Sequence, residues 1–329
     1  MAKMSKSPGM DAFDPPSPVP ASIPPEVAAT HRPADRYGWL AATGGRLRYA
    51  SWNATGTTRA TVIVLGGRAE FIEKYATEVI GELLRRGFAI MSLDWRGQGL
   101  SERPLPDKPL AGHIDNFDTF IADLRLFIDT IVGPNMQGPV IVLCHSMGGH
   151  ITLRYLAEQG GPFTAAVICS PMMALIREGA LSAVLGLMPG WFDRSDLYSI
   201  PPLSWFAPAP GSNNVTHDQR RFDWTAAWFN ADQRLALGTP TLGWARQAVR
   251  SMELTRTAGY LERIALPALM FSAGQDSIVD VSSHVTVAAR MKQCRLVPIA
   301  GARHEIMMET DHIRARFWAE FDNFVDSLI

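Results

Sequence analysis

Residues 139–150, Pro-Val-Ile-Val-Leu-Cys-His-Ser-Met-Gly-Gly-His, form a short apolar run that ends on a serine with two glycines close behind. Such a run has the pattern of a buried strand. A strand that gives way at once to Ser146, Gly148 and Gly149 has to turn sharply, and the small residues let it approach the next helix closely. This is the pattern of a nucleophile elbow, in which the serine hydroxyl points out of the sheet and the start of the following helix offers backbone N–H groups to a developing oxyanion. The usual Gly-x-Ser-x-Gly spacing has Cys144 in place of its first glycine.

The elbow needs a sheet around it, and the rest of the chain supplies the pattern of one. From Tyr37 onward, short β-rich runs alternate with amphipathic ones, which predicts an α/β fold with a mostly parallel sheet wrapped by helices. Strands are expected at 46–52, 61–65, 89–93, 165–169, 268–272 and 294–299, besides the elbow strand. Helices are expected at 70–86, closed by Gly87, at 117–132, where Phe120, Leu124, Phe127 and Ile131 recur at helical spacing, and at 314–328. Between Pro171 and about Thr255 the rhythm fails. That stretch shows no clear strand but gathers Trp191, Trp205, Trp224, Trp228 and Trp244 with Met188, Phe192, Phe206 and Phe229. A structureless loop of that length is implausible, so a helical insertion is expected. The division is therefore 1–36 as a disordered proline-rich arm, 37–171 and 255–329 as two parts of one core, and 172–254 as the insertion.

The arm carries Pro15, Pro16, Pro18, Pro20, Pro24, Pro25 and Pro33 with no sustained apolar stretch, too little to order itself. Lys3 and Lys6 are not followed by the apolar segment of a secretion signal. The longest apolar stretch, 180–192, is interrupted by Gly186, Pro189 and Gly190 and is too short to span a membrane. The expectation is a cytoplasmic protein that could rest on the inner face of a membrane. With 31 basic and 32 acidic residues and a net charge of −1, there is no electrostatic footprint for nucleic acid. Cys144, Cys169 and Cys294 lack metal-ligand spacing, and their odd number argues against a disulfide framework.

A serine nucleophile needs a base, and the base needs an orienting carboxylate. In one known arrangement of this chemistry the order along the chain is Ser, then Asp or Glu, then His, each on a loop after a strand. Asp276 in Gly274-Gln275-Asp276 follows the strand expected at 268–272, and His304 in Gly301-Ala302-Arg303-His304 follows the one at 294–299. Of eight histidines only His304 has this order and setting. His31 falls in the arm, His145 and His150 flank the elbow, and His284 and His312 fall in expected helices. Asp280 is the rival carboxylate, better read as a helix cap. The turn Gly66-Gly67-Arg68-Ala69-Glu70 follows another strand, and the backbone amides of Arg68 and Met147 are the expected oxyanion donors. A phosphate-binding loop is the alternative for that turn, but the Gly-Lys-Ser/Thr ending is missing. The motif at 94–101, Asp-Trp-Arg-Gly-Gln-Gly-Leu-Ser, reads as a structural turn in which Asp94 and Arg96 bind backbone.

Together these segments resemble the α/β-hydrolase superfamily, and within it the lysophospholipase L2 and monoglyceride lipase group. The resemblance rests on 67–75, LDWRGQGLS at 93–101, CHSMGG at 144–149, Ser170-Pro171, GQD at 274–276 and GARHE at 301–305. Gly66 stands where monoglyceride lipases carry the histidine of their HG motif, which matches the lysophospholipase pattern better. The resemblance implies that Ser146, His304 and Asp276 form a triad, that 172–254 is a helical cap over an acyl pocket, and that neither a metal nor an organic cofactor takes part. It also implies a small-molecule acyl ester or lysolipid as substrate, cleaved through an acyl-enzyme.

For the substrate, the aromatic and Met-rich insertion suits a single acyl chain, while the same residues could merely hold the insertion together. Arg194, Arg220, Arg221 and Arg234 are candidates to meet a lysophospholipid phosphate or to form a solvated face. Two other readings stand beside the lipid esterase: a small-ester carboxylesterase or aminopeptidase of the same superfamily, and a non-catalytic ligand-binding member.

Overall fold

The computed structural model describes residues 17–196 and 212–329. Eight strands form one sheet: β1 (Arg36–Ala42), β2 (Gly45–Trp52), β3 (Ala60–Leu65), β4 (Phe88–Leu93), β5 (Val140–His145), β6 (Phe163–Cys169), β7 (Ala268–Ala273) and β8 (Cys294–Ile299). Their order across the sheet is β1-β2-β4-β3-β5-β6-β7-β8. β4, β3 and β5 to β8 run parallel, whereas β1 and β2 form an antiparallel hairpin on the β4 edge. Every residue of β3, β4, β5 and β7 is buried. A strand buried on both faces must be covered on both, which is why these read as unbroken apolar runs.

The two faces divide by parity. Ile63, Leu65, Val142 and Cys144 pack into one core with α3 (Asp118–Phe127) and α5 (Ser146–Glu158). Val62, Val64, Ile141 and Leu143 pack into the other with α1 (Ile72–Ala76), α2 (Val79–Arg85) and α10 (Asp311–Asp326). The period of two along each strand sends alternate side chains to opposite cores.

Most elements fall where the alternation puts them, and the differences have local causes. β1 was not expected, because Arg-Tyr-Gly-Trp breaks the apolar pattern. Gly38 pairs with Tyr49 of β2, and a β-carbon there would sit 2.6 Å from the Tyr49 ring, so the glycine makes room for its neighbour. The helix expected at 70–86 is two, α1 and α2, parted where Glu78 leaves helical geometry at φ −146°. The helix expected at 117–132 is α3 continued by a wider π turn at 128–132 and the short α4 (Gly133–Asn135).

The arm is corrected for the residues described. Residues 17–35 lie packed on the molecule, with Val27 fully buried against Phe71, Trp224, Trp228 and Leu235. Backbone of this segment bonds both the core and the insertion: Arg32 N–H donates to the Ala76 carbonyl at 2.8 Å, and Ala21 N–H to Asp232 Oδ2 at 2.9 Å. Its composition cannot build a core alone, but a groove between two folded parts supplies the missing apolar partners.

Between β6 and β7 the insertion contributes α6 (Glu178–Leu187), α7 (Gln219–Ala231) and α8 (Leu242–Arg256). Trp228 is fully buried and donates from Nε1 to Thr77 Oγ1 at 3.0 Å, fastening α7 to the core. Trp191 is 81 % exposed. Trp205 and Phe206 lie outside the described residues. The remaining helix, α9 (Ser282–Arg290), follows β7. Among the described residues no helix is long and apolar enough to cross a membrane.

Candidate active site

Ser146 is the first residue of α5, directly after β5, and holds φ at +50°. A non-glycine residue pays for that left-handed backbone, and it is held there by close packing of the turn. A β-carbon on Gly148 would come within 2.4 Å of the Gly66 carbonyl oxygen, and one on Gly149 within 3.0 Å of Pro171. Cys144 does not loosen this turn. It is fully buried in regular parallel register, opposite Leu65 of β3 and Ile168 of β6, two residues before the bend at Ser146.

The three side chains singled out by chain order meet. His304 Nε2 lies 2.9 Å from Ser146 Oγ, and His304 Nδ1 lies 2.7 Å from Asp276 Oδ2. Asp276 stands on the loop after β7, with Oδ1 accepting from the amides of Ile278 and Val279 at 2.9 and 3.0 Å. Burial alone would raise its pKa, but the hydrogen bond and charge of His304 and those two amides hold the carboxyl below its ordinary value. Asp280 instead accepts from the Ser282 amide at 3.0 Å, at the start of α9.

Of the turn after β3, the Gly67 amide donates to Glu70 Oε2 and the Ala69 amide to Gln98 Oε1. Both neighbours of the Arg68 amide are thereby engaged by side chains. Met147 is the second residue of α5, in the first turn, where amides have no carbonyl within the helix to bond. The motif at 94–101 is structural, with one difference from expectation. Asp94 does accept from the Ile72 and Leu100 amides, but Arg96 pairs with the Asp123 carboxylate at 2.7 Å rather than with backbone.

Beside Ser146 and His304 lies a buried charged group that the motifs do not announce. Glu70 accepts from Tyr75 Oη at 2.6 Å and Lys74 Nζ at 2.9 Å and lies 3.0 Å from His145 Nδ1, while Lys74 reaches Glu305 at 2.6 Å. Burial opposes ionisation of Glu70, but Lys74 and His145 hold its pKa well below the usual carboxylate range. The His145 pKa is raised, Glu70 outweighing the effect of burial. The signal lay in residues already noted for other reasons: Glu70 and Lys74 stand four apart, His145 precedes the serine, and Glu305 follows the histidine.

Ser146 and His304 open on a cavity of about 860 Å³, roofed by the insertion and lined by Met172, Leu181, Phe222, Phe229 and Trp244 among others. Of the described aromatic residues of the insertion, Phe222, Phe229 and Trp244 face the cavity, Trp224 and Trp228 pack on the arm and core, and Trp191 does neither. Arg194, Arg220, Arg221 and Arg234 do not line it. Arg221 is buried between Glu78, Asp218 and Asp311, and Arg234 pairs with Asp232. No three His, Cys, Asp or Glu among the described residues are grouped to hold a metal ion.

A mostly parallel eight-stranded sheet covered on both faces, with a serine on a strained strand-to-helix turn and a histidine and an aspartate on later loops, defines an α/β hydrolase. The chain belongs to the family described as serine aminopeptidase, S33, whose model matches residues 56–311. It is similar to lysophospholipase L2 of Escherichia coli strain K12, with 30% identity over 264 residues, covering 77% of this chain and 76% of that protein. It is also similar to the monoacylglycerol lipase of Mycolicibacterium smegmatis, at 25% identity over 83% of this chain and 91% of that one. Among solved structures, a monoglyceride lipase from Saccharomyces cerevisiae shares the fold with a TM-score of 0.70 at 16% identity, covering 91% of this chain and 97% of that one.

Proposed function

We propose that this protein is a serine hydrolase of single-acyl-chain lipid esters, a lysophospholipase or monoacylglycerol lipase. The observation that carries the reading is the continuous Ser146, His304 and Asp276 hydrogen-bond chain at the base of a largely apolar cavity of about 860 Å³. A cavity of this size is suited to burying most of a long acyl chain. His304 Nε2 takes the proton of Ser146 as Oγ attacks the acyl carbonyl, and the Arg68 and Met147 amides stabilise the oxyanion. The carbonyl re-forms, the ester C–O bond breaks, and His304 gives its proton to the departing alcohol. Water then attacks the acyl-enzyme, losing its proton to His304, and the fatty acid leaves as Ser146 is regenerated. Asp276 holds the His304 tautomer throughout and stabilises its cation. Exposed Leu187 and Trp191, 84 and 81 % accessible on the insertion, favour substrate reached from a lipid surface.

An active-site-directed fluorophosphonate should label the wild-type protein and not Ser146→Ala, and that variant should lose on the order of a millionfold in kcat. An unlabelled wild type would end the nucleophile assignment. Turnover of lysophosphatidylcholine and monoolein, against short p-nitrophenyl esters, tests the lipid reading. Hydrolysis of the short esters alone would favour a carboxylesterase.

A further inference from the structure

Four non-glycine residues among those described hold φ in the left-handed region: Ala69, Ser146, Ser170 and Arg177. Three of them, Ala69, Ser146 and Arg177, line the same cavity. Ala69 and Ser146 belong to the two turns assigned above to the oxyanion and the nucleophile. Arg177 has no such account. It stands immediately before α6 at φ 60° and ψ 26°, on an exposed part of the cavity lining. A β-carbon is disfavoured in that conformation and glycine is not. Strained backbone of this kind collects at functional sites, where the side chain has work at a fixed position.

The position is fixed by backbone. Ile176 N–H donates to the Ile278 carbonyl at 3.2 Å, and Leu175 bridges to Val279, the same two loop residues whose amides hold Asp276. Arg177 is therefore carried on a segment tied to the acid loop of the triad. The other two cations lining the cavity are already engaged. Arg68 donates to the Gly238 carbonyl and lies over the Trp244 ring at 5.4 Å, and Lys74 sits between Glu70 and Glu305. The Arg177 guanidinium has no hydrogen-bond or ion-pair partner among the described residues. Its chain neighbour Glu178 does not neutralise it, because that carboxylate is taken by Arg256 at 2.7 Å and by the Leu175 amide.

We infer that Arg177 is the phosphate contact for a single-acyl glycerophospholipid, and so the residue by which this cavity distinguishes a lysophospholipid from a neutral monoacylglycerol. The inference rests on the lipid-ester reading of the same site. With the acyl chain among Leu181, Phe222 and Phe229 and the ester at Ser146, a phosphate a few glycerol bonds from the ester lies toward the open side of the cavity. A guanidinium there can pair two phosphate oxygens at once. No bond to phosphorus changes; the contact orients the ester.

The test compares the full-length wild type with Arg177→Gly, Arg177→Gln and Arg177→Lys. Substrates are a lysophosphatidylglycerol held below its critical micelle concentration and the monoacylglycerol of the same chain. Glycine removes the side chain while relieving the backbone, so a fall in its Tm is not expected and misfolding is separable from lost contact. Arg177→Gly and Arg177→Gln should lower kcat/KM on the lysophospholipid by about tenfold to a hundredfold, mainly through KM. On the monoacylglycerol the change should stay within about twofold, and Arg177→Lys should recover part of the loss. Equal effects on both substrates, or none on either, would overturn the contact while leaving lipid hydrolysis standing. So would an effect seen only on anionic phospholipid vesicles, which would move the phosphate from the substrate to the bilayer. A wild type that cleaves neither lipid refutes the underlying reading before any variant is compared.

Discussion

Ser146 keeps its backbone strain because Gly148 lets α5 lie directly on the turn after β3. A β-carbon at that position would meet the carbonyl oxygens of Gly66 at 2.4 Å and Leu65 at 2.7 Å, and neither is the end of a side chain that can swing away. Gly148→Ala must therefore push the helix off the turn. The expected cost is about 1–3 kcal/mol of stability. Because Ser146 moves with the helix, a displacement of roughly 1 Å should lower kcat about a hundredfold. Denaturant midpoints and p-nitrophenyl ester kinetics check both, and a variant matching wild type in each would refute the close approach. Asp276 and His304 could be picked out in the sequence for a related reason. Each follows a short apolar run, so its place at a strand end is a local property. Arg177 could not be, since nothing in its neighbours in sequence reveals a left-handed backbone or a cavity.

Arg48 joins three elements. It lies in β2, fully buried, and bonds Glu73 of α1 at 2.7 and 2.8 Å and Asp94, after β4, at 2.7 Å. One cation is thereby shared by two buried carboxylates, and the Asp94 pKa stands above its ordinary value because burial outweighs the attraction of Arg48. Arg48→Met would leave those carboxylates without their counter-charge. The expected loss is about 3–5 kcal/mol, read from equilibrium unfolding in urea, and a loss below ~1 kcal/mol would show that the carboxylates are relieved in some other way. In sequence, Arg48 sits at an ordinary position of an alternating strand. Its partners are 25 and 46 residues away, so only the fold discloses why a charge belongs there. The same distance hid the split between α1 and α2, where the Ala76 carbonyl at the end of α1 is taken up by Arg32 from the N-terminal segment.

The N-terminal segment makes the stability of the whole molecule depend on pH. His31 stacks edge-on against Trp228 at 4.9 Å, and burial lowers its pKa from 6.5 to about 4, the largest opposing influence being Glu73. The folded protein keeps this ring neutral while the unfolded chain protonates it below about 6.5. Its contribution is complete above 6.5, declines as the pH falls, and is gone below about 4. Relative to wild type, His31→Phe should flatten the stability profile across that window by up to ~3 kcal/mol. Thermal unfolding at a series of pH values measures it; parallel profiles for the two proteins would show that His31 does not titrate on unfolding.

What was legible in the chain is what neighbouring residues settle among themselves. The apolar runs of the parallel strands, the elbow at Ser146 and the loops carrying Asp276 and His304 depend on periodicity and turn chemistry within a few residues, and chain order then relates them. The remainder depended on partners far apart in sequence. Residues 17–35 have too few apolar side chains to order themselves and do so only in the groove that Phe71 and Trp228 complete. The four arginines suggested for a phosphate lie away from the cavity, while Arg177 lines it, because a charge is solvated, paired or aimed at a ligand according to what the fold sets opposite it. Local covalent geometry decides strands, turns and their succession; burial and the pairing of charges arise only when the chain has closed on itself.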